Sequence, residues 1–153
     1  MAKKQNLKHI IAAEYKKCAK DPVYFMKKYC MIQHPTRGKI NFNLYQFQER
    51  ALAEFANNDY NIILKSRQLG ISTLSAGYSL WSMLFNEDFN VLVIATKQDV
   101  AKNLVTKVRV MHEYLPSWLK GKTIEDNKLS LRFGNGSQIK AVSAAGDAGR
   151  SEA

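Results

Sequence analysis

The sequence predicts an α/β fold built on a parallel central sheet. Two observations carry that reading. A short β-branched apolar run at residues 60–65 and a second at 90–96 have the character of buried parallel strands. Each is followed by apolar residues at three- and four-residue spacing, over 72–86 and 97–113, which is helical. Alternating strands and helices of this kind build a sheet covered by helices.

The elements follow in order. Leu7, Ile10, Ile11, Tyr15 and Cys18 form one stripe of an amphipathic helix over 4–19, with lysines opposite. Asp21 and Pro22 supply an N-cap and first-turn proline for a helix to about Tyr29. Residues 34–38 read as a turn and 39–44 as extended. Phe47, Ala51, Leu52 and Phe55 set a helix over 45–57. Pro116-Ser117-Trp118-Leu119 breaks the helix of the second strand–helix pair. Residues 128–133 and 137–142 read as strands joined by a tight Gly134-Asn135-Gly136 hairpin.

At 153 residues the chain suits one fold with a real core, and 46% hydrophobic against 24% charged residues is ordinary for a globular protein. Apolar runs reach five residues, as at 91–95, far short of a bilayer span. A soluble intracellular protein is expected, without a secretory signal. Cys18 and Cys30 make no disulfide framework, and Cys30 with His34 lacks the further ligands zinc requires. Net charge is +10, and residues 1–40 hold ten Lys and Arg against Glu14 and Asp21. The basic surplus therefore sits in an N-terminal segment, 1–43, ahead of a nearly neutral 44–153. Such a segment suits nucleic-acid phosphates or acidic surfaces, or simply forms a solvated lysine face.

The loop between residues 65 and 73 carries the chemistry. On the template G-x-x-x-x-G-K-[ST], Gly70 is the second glycine, Ser72 the hydroxyl that holds magnesium, and Thr73 its neighbour. Ile71 stands where the lysine belongs. Lys65, at the loop's start, and Arg67 are the cations available to phosphates, with Lys65 slightly favoured.

Ser66-Arg67-Gln68-Leu69-Gly70 followed by a small hydroxyl residue resembles the deviant Walker A of tailed-phage DNA-packaging terminase large subunits. The likeness continues through residues 24–29, 32–35 and 38–40, Leu44-Tyr45-Gln46-Phe47-Gln48, residues 90–96 and 131–137. It covers roughly residues 21–150 in order. The resemblance implies a P-loop NTPase-type core preceded by N-terminal helices, with ATP and Mg2+ as cofactors. It implies Ser66, Gln68, Gly70, Ser72 and Thr73 around the phosphates, and Ser72 on the metal. Arg67 or Lys65 would stabilise charge on the γ-phosphate. Gln48, or second Gln46, would recognise adenine, since an amide both donates and accepts. Implied partners are double-stranded DNA, a portal protein and a small terminase subunit. A homo-oligomeric ring in the host cytoplasm is implied for the full-length protein, with no membrane.

An ATPase of this kind also needs a strand ending in Asp-Glu. Val91 to Ala95 leads to Thr96-Lys97-Gln98, and Ile139 to Val142 leads to Ser143-Ala144-Ala145, neither of them acidic. In the resembled family that strand would begin just beyond residues 149–151. The chain is thus expected to be an N-terminal fragment that ends before it, without the nuclease domain and with an apolar sheet edge left open. A helicase or translocase motor fragment shares the motif order. A non-enzymatic basic DNA- or partner-binding module with a vestigial P-loop is the third reading.

Overall fold

Local chemistry starts the helices. The computed structural model describes residues 2–34 and 36–144, with side chains from Asn6 onward. Helix α1 spans Ala2–Lys20 and α2 spans Pro22–Tyr29. Asp21 caps α2, its carboxylate accepting from the Val23 and Tyr24 amides at 2.8 and 3.1 Å. The two helices are tied by Glu14, which accepts from Tyr24 Oη (2.6 Å), Lys28 Nζ (2.6 Å) and Tyr29 Oη (2.7 Å). Hydrogen bonds from Lys28 and the two tyrosines hold its carboxyl down at about 2. Of the apolar stripe expected on α1, Cys18 is buried, whereas Leu7 and Ile10 are exposed.

A two-stranded antiparallel ribbon follows, β1 (Met31–His34) with β2 (Gly38–Asn41). The turn expected at 34–38 joins them, and its Pro35 lies outside the described residues. Helix α3 (Gln46–Asn57) leads to the 58–70 segment and α4 (Ile71–Phe85). Then come β3 (Asn90–Ala95), α5 (Gln98–Glu113), β4 (Thr123–Asp126), β5 (Ser130–Phe133) and β6 (Gln138–Ser143). The last four strands form one sheet in the order β3-β6-β5-β4. Only β3 and β6 run parallel; β6, β5 and β4 are antiparallel neighbours. The sheet is thus mixed and not parallel throughout, because the 134–136 hairpin turns β6 back along β5.

The largest departure from expectation lies at residues 60–65. They form no strand, and Tyr60, Ile62 and Leu64 are 94%, 100% and 101% exposed. An apolar β-branched run becomes a strand only beside a strand that takes up its backbone hydrogen bonds. Among the described residues β3 is an edge strand that pairs with β6 alone, and Leu92 and Ile94 are exposed on one of its faces.

One buried cluster runs across the 43/44 boundary, joining Cys18, Phe25 and Met26 to Leu74, Leu80, Met83, Val105 and Met111. Trp81 Nε1 donates to the Cys18 carbonyl at 2.8 Å, and Gly77 lets Met26 Sδ approach a would-be Cβ to 3.0 Å. The hairpin tip also stitches the core. Asn135 Nδ2 donates to the Met83 and Asn86 carbonyls at 2.8 and 2.9 Å, satisfying the end of α4. Gly136 has φ +85°, and a Cβ there would collide with Asp88 Oδ1. No helix among the described residues is long and apolar enough to cross a membrane.

Candidate phosphate-binding site

The loop enters α4 through two left-handed residues, Gln68 (φ 65°) and Gly70 (φ 71°), and Gly70 is the N-cap of the helix. The Thr73 and Leu74 amides donate to the Gly70 carbonyl at 3.0 and 2.9 Å, closing the first turn. Among the described residues, none of the backbone N–H groups of residues 66–72 donates to another backbone group. A helix start with several unsatisfied donors in a row is suited to an anion.

The expected site residues fall at different places around this turn. Ser66, Arg67, Gln68 and Ser72 are exposed, and Gly70, Ile71 and Thr73 are half-buried. Ile71, in the position a lysine would take, packs against the core. Its side chain therefore serves packing, and any cation must come from elsewhere. Lys65 Nζ donates to the neighbouring Ser66 carbonyl at 3.2 Å, at the front of the loop. Arg67 joins none of the ion pairs among the described residues.

A third cation was not foreseen. Lys107, on α5, donates to Thr73 Oγ1 at 3.3 Å. It also lines a cleft of about 320 Å³ shared with Ser72, Val93, Ala95 and Leu104. Nothing in the spacing of residues 98–113 distinguishes Lys107 from Lys102, the other lysine on that helix. Only the packing of α5 against α4 brings it to the loop.

Gln48 meets the loop at Leu69 and Gly70. It is 2% exposed, although glutamine on a helix is ordinarily a surface residue. Its Oε1 accepts from the Tyr45 amide at 3.0 Å, and its Nε2 donates to the Leu69 carbonyl at 3.0 Å. Gly70 lies directly against it, for a Cβ there would come within 2.7 Å of Gln48 Nε2. Gln46 is exposed at the start of α3, between Tyr45 and Phe47, whose rings stack 5.8 Å apart. The structure thus brings Gln48, Leu69 and Gly70 together, and separately Ser72, Thr73 and Lys107.

Comparison with solved structures decides the fold. Over 84% of its length the chain matches the crystal structure of the HK97 bacteriophage large terminase, with a TM-score of 0.65 and 20% identity. It has the fold of a large terminase. The terminase-like chain spans 28% of the length of that protein. No protein-family model matches the sequence. Identity of 20% carries the fold alone, so the roles of individual residues rest on their geometry here.

A metal would find few protein ligands at this loop. Among the described residues no group of three or more His, Cys, Asp and Glu side chains comes together. A magnesium ion would rest on the Ser72 hydroxyl and on the phosphates it accompanies. Residues 145–153, including the 149–151 stretch beyond which an acidic strand was expected, lie outside the described residues.

Proposed function

We propose that the chain is the nucleotide-binding front part of a large-terminase-type motor, which couples ATP hydrolysis to moving double-stranded DNA into procapsids. The observation that carries this reading is the run of N–H groups at residues 66–72 that bond no backbone group among the described residues, at the entry to α4 in a terminase-like fold. In this reading the ATP phosphates lie against those donors, around Ser66, Gln68, Gly70 and Thr73, and Ser72 holds Mg2+. Lys65 or Arg67 stabilises charge developing on the γ-phosphate, and Lys107 is a third cation within reach of the same turn. Gln46, exposed beside two stacked aromatic rings, is the glutamine accessible to a base. The full-length protein would work as a homo-oligomeric ring with a portal protein and a small terminase subunit in the host cytoplasm. The basic surplus of residues 1–40 is suited to DNA phosphates.

Calorimetric titration of the 153-residue chain with ATP, with and without magnesium, tests the reading. Magnesium-dependent binding with little turnover is the expected result, because no Asp-Glu pair follows β3 or β6. Absence of any magnesium-dependent binding would overturn it in favour of a module that does not use nucleotide.

A further inference from the structure

We infer that Gln48 is a positioning residue that aims the phosphate loop, and that it acts on the triphosphate irrespective of the base. The inference rests on the nucleotide-binding reading of the 65–73 loop.

Gln48 and Leu69 are 21 residues apart, yet the side-chain amide of one holds the carbonyl of the other at 3.0 Å. The peptide joining Leu69 to Gly70 is trans, since there is no cis peptide bond among the described residues. In a planar trans peptide the carbonyl and the following N–H point in opposite directions. Holding the Leu69 carbonyl toward Gln48 therefore turns the Gly70 N–H the other way, among donors that bond no backbone group among the described residues. Loss of the clamp would leave this peptide able to rotate and present its carbonyl where an anion needs a donor.

Two further features make the clamp specific. Gln48 is itself fixed, because Oε1 accepts the Tyr45 amide at the start of α3. The orientation of the amide group follows, with oxygen toward Tyr45 and nitrogen toward Leu69. The left-handed Gly70 also presents no side chain to the amide, which approaches to a distance that a Cβ would not tolerate. An amide at 2% exposure with both polar atoms engaged by backbone groups is built into the protein. Reading a base edge would require both atoms to be released.

The decisive substitution is Gln48→Glu. The carboxylate keeps the acceptor for the Tyr45 amide but sets an oxygen against the Leu69 carbonyl. Two measurements are made on the full 153-residue chain. In the first, 15N relaxation of the unliganded protein follows the Gly70 amide. Its order parameter is expected to fall from the rigid range near ~0.85 toward ~0.6 or lower in the variant. An unchanged Gly70 order parameter overturns the clamp, whether or not the protein binds nucleotide. In the second, the affinities for Mg-ATP, Mg-GTP and inorganic tripolyphosphate are compared. All three are expected to weaken by a common factor, roughly tenfold, the scale of one charge-affected hydrogen bond. Weakening of Mg-ATP alone would make Gln48 a base reader and overturn the proposal. If neither variant nor parent binds any of the three while Gly70 loosens, the nucleotide reading fails and the clamp on the loop stands.

Discussion

Substituting Gly70→Ala perturbs the loop at its tightest point, and the cost can be worked from the structure. Gly70 has φ +71°, where an alanine is disfavoured by about 1–2 kcal/mol. The new Cβ would stand 2.7 Å from Gln48 Nε2, inside any ordinary contact, so the buried amide must move. Moving it strains or breaks the bonds to the Tyr45 amide and Leu69 carbonyl, each worth about 1 kcal/mol. The sum is about 3–4 kcal/mol, which for a chain of this size lowers the melting temperature by roughly 6–16 °C. Urea unfolding of the parent, Gly70→Ala, Gln48→Ala and the double variant would measure it. With Gln48 truncated, the clash disappears and Gly70→Ala should cost only its backbone term of about 1–2 kcal/mol. A Gly70→Ala variant within about 0.5 kcal/mol of the parent would refute the reasoning. So would strict additivity of the two changes, because it would mean that the side chain and the glycine do not touch.

Other consequences can be checked in the same way. Asn135→Ala removes the donors to the Met83 and Asn86 carbonyls and the acceptor for the Ser137 amide. A loss of about 2 kcal/mol in urea unfolding is expected. His112 is buried, shares a hydrogen bond with the Gly121 carbonyl at 2.9 Å, and lies against Phe133. Burial pushes its pKa below 6.5 in the fold, so below that pH the unfolded chain binds the proton more readily. Stability should therefore fall as pH drops from 6.5 toward the depressed value, and His112→Gln should flatten that slope in thermal melts. Lys107→Met keeps the aliphatic stem but removes the ammonium beside Thr73. If that charge serves the phosphates, calorimetry should show Mg-ATP affinity reduced roughly tenfold without a change in melting temperature. An unchanged affinity would assign the cation to Lys65 or Arg67.

The features legible in the sequence were those whose cause is local. The Asp21-Pro22 helix start, the 90–95 strand, the helical spacing after it and the Gly134-Asn135-Gly136 turn each depend on neighbours within a few residues. The Ser66-to-Ser72 loop was legible for the same reason, as a polar, glycine-bearing entry to a helix. Tertiary structure decided whatever depends on a partner distant in sequence. Residues 60–65 have the composition of a buried strand, yet stand exposed because no strand accepts their hydrogen bonds. Ile71 brings no cation to the loop, yet α5 packs on α4 and sets Lys107, 36 positions on, beside Thr73. Gln48 read as an amide for a base. The fold buries it under Gly70, where both of its polar atoms are needed to hold backbone. By itself the sequence determined where the helices begin, where the chain turns and that one loop offers donors to an anion. Which side chains surround that loop was decided by packing, because burial and hydrogen-bond pairing depend on residues that meet only once the chain is folded.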